Sequence, residues 1–391
     1  MIDDDALDDL LLRLIATPGL STDEAAVAAV LTGQLRDLGL EVSVDELGNV
    51  IGRREYGPGP TVMIDCHLDT VPVVDAGEWT RDPAGEKAGG RIYGRGAVDM
   101  KGPIAAVLHA LAAPGTRTSG TVVFAGTVAE ELVEGPAALH VARAVRPDYV
   151  LICEPSQRRI ARGQRGRAEI VVEIEGVSSH SAYPGEGINA AEVMTDVIAV
   201  LRELTPPADE TLGDGILVLI DVKSEPYPSL STVPERCRAT FDRRTLVGES
   251  EEDVLRPVRA VVDAVCRQWK ARGAVTIATE EFLTYTGHRL RAQKFAPAWL
   301  FDGAAPIVAG AVGGLRAAGL DSAVTHYRFC TNGSGTAGHL AIPTIGYGPG
   351  SESQAHTVDE YIELDDLRLG ARGYAAILTA LLRPTLPEAD R

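Results

Sequence analysis

Three apolar runs in the first part of the chain, Thr61–Asp65, Thr121–Gly126 and Asp148–Cys153, each stop at a group able to bind a cation. His67 and Asp69 follow the first, Glu130 and Glu131 the second, Glu154 the third. Short continuous apolar runs of this kind read as strands buried on both faces. Helical spacing over Ala25–Leu38 and a helix at Pro103–Ala113 interleave with them, and strands joined through helices favour a parallel sheet. The expected fold class is therefore α/β, a mostly parallel-sheet catalytic domain with helices on both faces. In such open sheets, sites gather beyond the carboxyl ends of the strands.

The texture changes at about Arg167. AEIVVEIEGV alternates as a half-buried strand, Ala190–Leu204 is helical, ILVLIDVKS and CRATFDRRT are strand-like, and Glu251–Trp269 is helical again. The order β-α-β-β-α-β, closing on AVTIATEEF, predicts an inserted α+β ferredoxin-like unit. A chain of 391 residues exceeds one ordinary core. The expected division is residues 1–164 and 286–391 for the catalytic domain, with 165–285 inserted. Hinges are expected near Gly163–Gly166 and about Tyr285.

Alternation along an extended segment puts His67 and Asp69 on one side of their strand and Cys66 on the other. By itself His-x-Asp is as well explained by a buried polar pair. The same placement recurs, however, at Glu130, Glu131 and Glu154, and Asp99 in the loop GRGAVDMKG and His356 in GPGSESQAHTVDE add a further acid and imidazole. Such a set, all oxygen and nitrogen with no thiolate, suits one or two divalent ions of the zinc, cobalt or manganese kind. The five cysteines form no CxxC pair, so Cys66 and Cys153 read as small apolar filler in a reducing compartment.

A net charge of −18 argues against nucleic acid or an anionic membrane as partner. The apolar residues of the acidic amino terminus are interrupted and follow no basic region, so it reads as a helix rather than a signal peptide, and a cytoplasmic location is expected. The absence of a G-x-S-x-G elbow disfavours a serine hydrolase. Asn332 and Gly333, in the glycine-rich stretch Thr331–Gly338, are expected to meet substrate.

The motifs CHLDTVP, GRGAVDMKGP, VAEEL, CEPS, SSHSAYPGEGINA, FDRRT and AHTVDE, in that order over nearly the whole chain, resemble a family of dinuclear zinc hydrolases. It includes acetylornithine deacetylase, succinyl-diaminopimelate desuccinylase, carboxypeptidase G and aminoacylase. The resemblance implies two divalent metal ions, most simply zinc, with Asp99 between them. His67 and Glu154 would complete the protein ligands of one, and Glu131 and His356 those of the other. It further implies Glu130 as general base, Asp69 as the carboxylate orienting His67, and His180 as a histidine that reaches into a partner's site across a homodimer formed by the inserted lid domain. Arg244 would grip a substrate carboxylate, with Arg243 pointing oppositely into solvent. Thr232 stands in STVPE where many relatives carry Asn.

The stretches RGQRGRAEI and FCTNGSGTAGHLAIPTIGYGPG are most similar to a branch named for association with selenium metabolism, so no substrate is carried over from better-known branches. The implied activity is hydrolysis of an amide in a small N-acyl amino acid or dipeptide-like substrate with a free carboxylate. The readings weighed beside it are a dipeptidase rather than a deacylase, a two-metal phosphodiesterase, and a non-catalytic metal- or ligand-binding homologue.

Overall fold

The computed structural model describes residues 4–74, 76–113 and 119–383. Strands β1 (Glu41–Val44), β2 (Val50–Gly57), β3 (Thr61–His67), β4 (Gly120–Thr127), β5 (Tyr149–Ile152) and β6 (Ile160–Gln164) build most of a nine-stranded sheet. The chain then leaves through β7 (Gly166–Glu175), and returns to the same sheet at a short strand, Trp299–Leu300. The sheet order is β1-β2-β4-β3-β5, then Thr344–Gly346, β6 and Trp299–Leu300, with Val324–Tyr327 also paired to β6. Its centre is parallel, β4 to β3, β3 to β5, and β5 to Thr344–Gly346, while β1, β2 and Trp299–Leu300 pair antiparallel and Val324–Tyr327 runs parallel to β6.

Alternation sorts the central side chains between two faces. Val62, Ile64 and Cys66 of β3 join the larger core, with α1 (Asp4–Ala16), α2 (Ala25–Asp37), α3 (Lys101–Ala112) and residues 306–317 and 364–381 of two later helices. Met63 of the same strand packs the opposite way, against Val141 and Ala142 of α4 (Pro136–Val145). β4 is buried along its whole length, as a central strand covered on both faces must be. Helix α3 is apolar around nearly its whole circumference, which fits its position against α1 and the last helix.

The inserted unit is the β-α-β-β-α-β sandwich. Strand β7, helix α5 (Ala190–Leu201), strands β8 (Ile216–Glu225) and β9 (Arg236–Thr245), helix α6 (Glu251–Trp269) and strand β10 (Arg272–Ile277) pair in the order β8-β9-β7-β10, all antiparallel. Both helices cover one face, where Ile170, Val172, Phe241, Val193, Val197, Val258 and Val262 form a second core. Ser250 and Asp253 start α6 with a reciprocal capping box.

Two details differ from the sequence reading. AVTIATEEF is not one strand: β10 ends at Ile277, and β11 (Thr279–Leu283) turns away to pair with β12 (Arg289–Gln293). The second concerns Tyr285, which is anchored to the first unit. That residue lies at the tip of the β11–β12 hairpin, where its hydroxyl donates to the Gly48 carbonyl (2.8 Å) and Thr286 donates to the Glu46 carbonyl (2.7 Å) of the first unit. After the hairpin, Phe295–Ala296 still pairs with β7, so the crossing back falls between there and Trp299. Gly163 and Gly166 permit close approach of the backbone, since a Cβ at Gly166 would meet the Ala296 carbonyl at 2.3 Å and one at Gly163 would meet Leu300 at 2.6 Å.

Candidate metal centre and active site

The strand ends converge as parallel pairing requires. His67 closes β3, Glu130 and Glu131 follow β4, Glu154 follows β5, Asp99 precedes α3, and His356 sits in the loop after Thr344–Gly346. Asp99 stands between the two imidazoles. Its Oδ1 is 2.8 Å from His67 Nε2, and its Oδ2 is 3.3 Å from His356 Nε2. Glu154 lies 3.5 Å from His67 Nε2, and Glu131 lies 3.0 Å from His356 Nε2. Ligand atoms of His67, Glu130 and Glu154, and again of His67, Asp99 and Glu131, lie within 4.8 Å of one another.

The electrostatics of this cluster are those of a cation site. Burial, partly offset by His67, drives the Glu130 and Glu154 carboxyls well above the ordinary range, and neighbouring carboxylates add to the effect. Glu131 is raised by burial too. Burial opposes the charge on Asp99, but His356 and His67 outweigh it and hold its pKa low. Hydrogen bonds to Asp99 and Glu131 push His356 up to about 10. Four carboxylates in one partly dry space repel each other, and divalent cations between them would remove that repulsion. The donor set therefore fits two such ions, with Asp99 contributing one oxygen toward each histidine.

Asp69 is wholly buried and has a wider role than orienting His67. Its Oδ1 and Oδ2 accept the backbone N–H groups of Glu130 and Glu131, both at 3.1 Å, and Oδ2 also accepts the Ser21 hydroxyl at 2.6 Å. The closer partner of His67 Nδ1 is the Asp69 main-chain carbonyl at 2.9 Å, with the carboxylate at 3.5 Å.

The same pattern extends backwards. Asn49 Oδ1 accepts the N–H of Val128 and Glu24 Oε1 that of Ala129, so the consecutive amides of residues 128–131 all end on side-chain oxygens from three distant segments. Glu360 does the equivalent for the other loop: its Oε1 accepts from Val98 and Asp99, while its Oε2 pairs with Arg95 at 2.5 Å. Sequence reasoning did not single out Glu24, Asn49 or Glu360. Glu360 is the last residue of AHTVDE, and the turn DELGN holds Asn49, but their roles depend on contacts remote in sequence.

Asn332 and Gly333 do not meet the cavity. The Asn332 amide donates to Asp65 (3.1 Å) and Thr127 (3.0 Å), and its carbonyl accepts from Gly135 (2.8 Å), which uses up its bonding capacity inside the core. Gly333 is packed so that a Cβ would lie 2.6 Å from the Trp299 indole nitrogen.

His180 is exposed and paired across a bridge with Thr232, outside the lining of its own chain's cavity. Arg244 does line the cavity, with its Nε 2.8 Å from Asp242. Arg243 points the other way as alternation demands, but it is buried rather than exposed. The segment after β9 folds back and supplies Glu249 at 2.6 Å.

The cavity measures about 650 Å³. Asp99, Glu130, Glu131, Glu154 and His356 lie on one side, and Arg165, Arg167, Arg244 and Arg328 come from the segments where the two units meet. An acidic cage facing a basic wall can hold metal ions and, across from them, an anionic organic molecule.

The description Peptidase family M20/M25/M40 matches residues 63–380. The chain is 32% identical over 377 residues to the Escherichia coli (strain K12) protein described as uncharacterized protein YgeY, covering 94% of this chain and 92% of that one. It is 28% identical over 385 residues to acetylornithine deacetylase of Edwardsiella ictaluri, covering 91% and 92%. Among solved structures, Bacillus subtilis YXEP, described as a dinuclear metal binding peptidase, superposes with a TM-score of 0.71 at 16% identity, covering 97% of this chain and 98% of that one.

Proposed function

From the premise that this chain belongs to peptidase family M20/M25/M40, we propose that it hydrolyses the amide of a small N-acyl amino acid or dipeptide that carries a free carboxylate. The membership makes it a metallo-hydrolase of the peptidase and deacylase class. The observation that supports the finer reading is the pairing of Asp99 with both histidines, beside a buried Glu130 whose proton affinity is raised by burial.

His67, Asp99 and Glu154 would hold one metal ion, and Asp99, Glu131 and His356 the other; we take both as zinc, with cobalt or manganese able to replace it. Bound there, the ions supply Lewis acidity toward a carbonyl and toward water. The protein's own groups do the rest. Glu130, buried and of raised proton affinity, accepts the proton of the attacking water and returns it to the leaving nitrogen. Asp69, Glu24 and Asn49 fix the backbone that carries Glu130, and Glu360 fixes that of Asp99. Arg244 binds the substrate carboxylate.

The exposed position of His180, together with the exposed apolar side chains Val218, Ile220 and Val222 of edge strand β8, supports a homodimer through the inserted unit in which each His180 serves the partner's site. Among the described residues no helix is long and apolar enough to cross a membrane. The buried free cysteines support the cytoplasm as the working compartment.

The test is metal-dependent turnover of N-acetyl amino acids and dipeptides. Two metal equivalents per chain are expected, with activity lost on chelation and restored by zinc, cobalt or manganese. Glu130→Gln is expected to keep the metal and lose about 10²- to 10⁴-fold in kcat. Full activity in that variant would refute Glu130 as base. An intact fold that binds no metal would favour the non-catalytic reading.

A further inference from the structure

The basic wall of the cavity holds more positive charge than one substrate carboxylate requires. Arg167 is saturated, within 2.9 Å of Glu134 and 2.8 Å of Asp242. Arg244 shares Asp242 with it, so these two cations face two carboxylates and leave little net charge.

Arg165 and Arg328 are different. Neither makes an ion pair with a carboxylate among the described residues, although both line the cavity. Arg165 is the residue between β6 and β7, at the crossing from one unit to the other. Its Nε donates to the Arg328 carbonyl (3.1 Å) and its Nη1 to the Asp214 carbonyl (2.9 Å). Neutral carbonyls fix the plane of the guanidinium without pairing its charge, and Nη2 has no protein acceptor among the described residues. Burial and then the like charges of Arg244 and Arg328 lower its pKa, which marks a group short of negative charge. The exposed carboxylates of Asp214 and Glu352 offset this only in part.

We propose that Arg165 and Arg328 form a second anion subsite beside Arg244, so that the preferred substrate is an amide bearing two carboxylates rather than one. A guanidinium held by two carbonyls is pre-organised for a carboxylate, and the subsite lies on the same cavity as the metal cage. A small dianion therefore spans the two without leaving it. This rests on the amide-hydrolase reading above and specifies the substrate class within it.

The second carboxylate can lie on the acyl side or on the amine side, and matched pairs separate the two. The metal-loaded full chain is assayed on N-succinyl-L-alanine against its succinamoyl analogue, and on N-acetyl-L-glutamate against N-acetyl-L-glutamine. In one pair the dianion is expected to win by about tenfold or more in kcat/KM, the scale of a charge-assisted hydrogen bond. Arg165→Gln and Arg328→Gln are each expected to erase most of that ratio. Arg328 is exposed, and its side chain makes no hydrogen bond in the structure, so its variant keeps the fold, which a melting curve checks.

Calorimetric binding of succinate and butyrate to the metal-loaded protein gives a reading independent of turnover. Succinate is expected to bind about tenfold tighter than butyrate in the parent, and equally in Arg328→Gln. Ratios near one in both substrate pairs, with the monoanionic amides still hydrolysed, would overturn the subsite and leave the hydrolase reading standing. So would a dianion preference that survives both substitutions. No hydrolysis of any amide by metal-loaded protein would instead remove the reading on which the subsite rests.

Discussion

Glu24 is wholly out of contact with solvent, accepts the N–H groups of Thr22 and Ala129 on one carboxyl oxygen, and leaves the other without a partner. Burial first and Asp69 second push its pKa from 4.5 up to about 7. Between those values the folded protein holds a proton that the unfolded chain has released. Its contribution to stability is therefore complete below about 4.5 and declines as pH rises to about 7, by a few kcal/mol in all. Glu24→Gln keeps an acceptor for Ala129 and cannot ionise. The difference in melting temperature between parent and variant, at equal metal loading, is expected to move in favour of the variant as pH is raised through that window. A difference that stays constant with pH would count against the assignment. At this scale the sequence was legible wherever a group stands next to its strand end, as His67, Glu131 and Glu154 do. It was not legible for Glu24, whose position at the start of α2 reads equally as an ordinary helix-start carboxylate, nor for Asn332, because nothing local shows which way a loop side chain turns.

Among the elements, the short segment 128–131 has the highest demand for outside help, since it follows a fully buried strand and belongs to no helix or sheet. Its amides are satisfied by β3's successor Asp69, the residue before β2 and the residue before α2. Asn49→Ala would leave the Val128 N–H buried and unpaired, a cost of about 1–3 kcal/mol. The melting temperature is expected to fall, and kcat to drop about tenfold with metal content retained, while Asn49→Asp recovers part of both. A loss of stability with kcat unchanged would assign Asn49 to the fold alone. Periodicity gave the two sheets, their helices and the ferredoxin-like order, because alternation and apolar runs are local properties. It could not separate β10 from β11, since AVTIATEEF alternates straight through Ala278 and the turn there is imposed by what each half pairs with.

In the whole molecule, the chain passes between the two units at Arg165 and between Ala296 and Trp299, and a third junction is the β11–β12 hairpin lying on the Gly48 loop, beside side-chain links such as Arg167 to Glu134. The third junction is specific. Gly48 has φ +100, and a Cβ there would fall 2.3 Å from the Tyr285 ring, so the loop is shaped to receive that side chain. Tyr285→Phe removes one hydrogen bond of about 1 kcal/mol and keeps the ring. It is expected to leave the melting temperature nearly unchanged and to raise kcat/KM for long-chain N-acyl substrates relative to N-acetyl ones several-fold. An unchanged ratio would show that the hairpin does not restrain the cavity mouth. The hairpin is thus a clasp between the two units. Its two hydrogen bonds at Glu46 and Gly48 tie residues 279–293 to the first unit, although none of those residues lines the cavity that holds the metal ligands and the arginines.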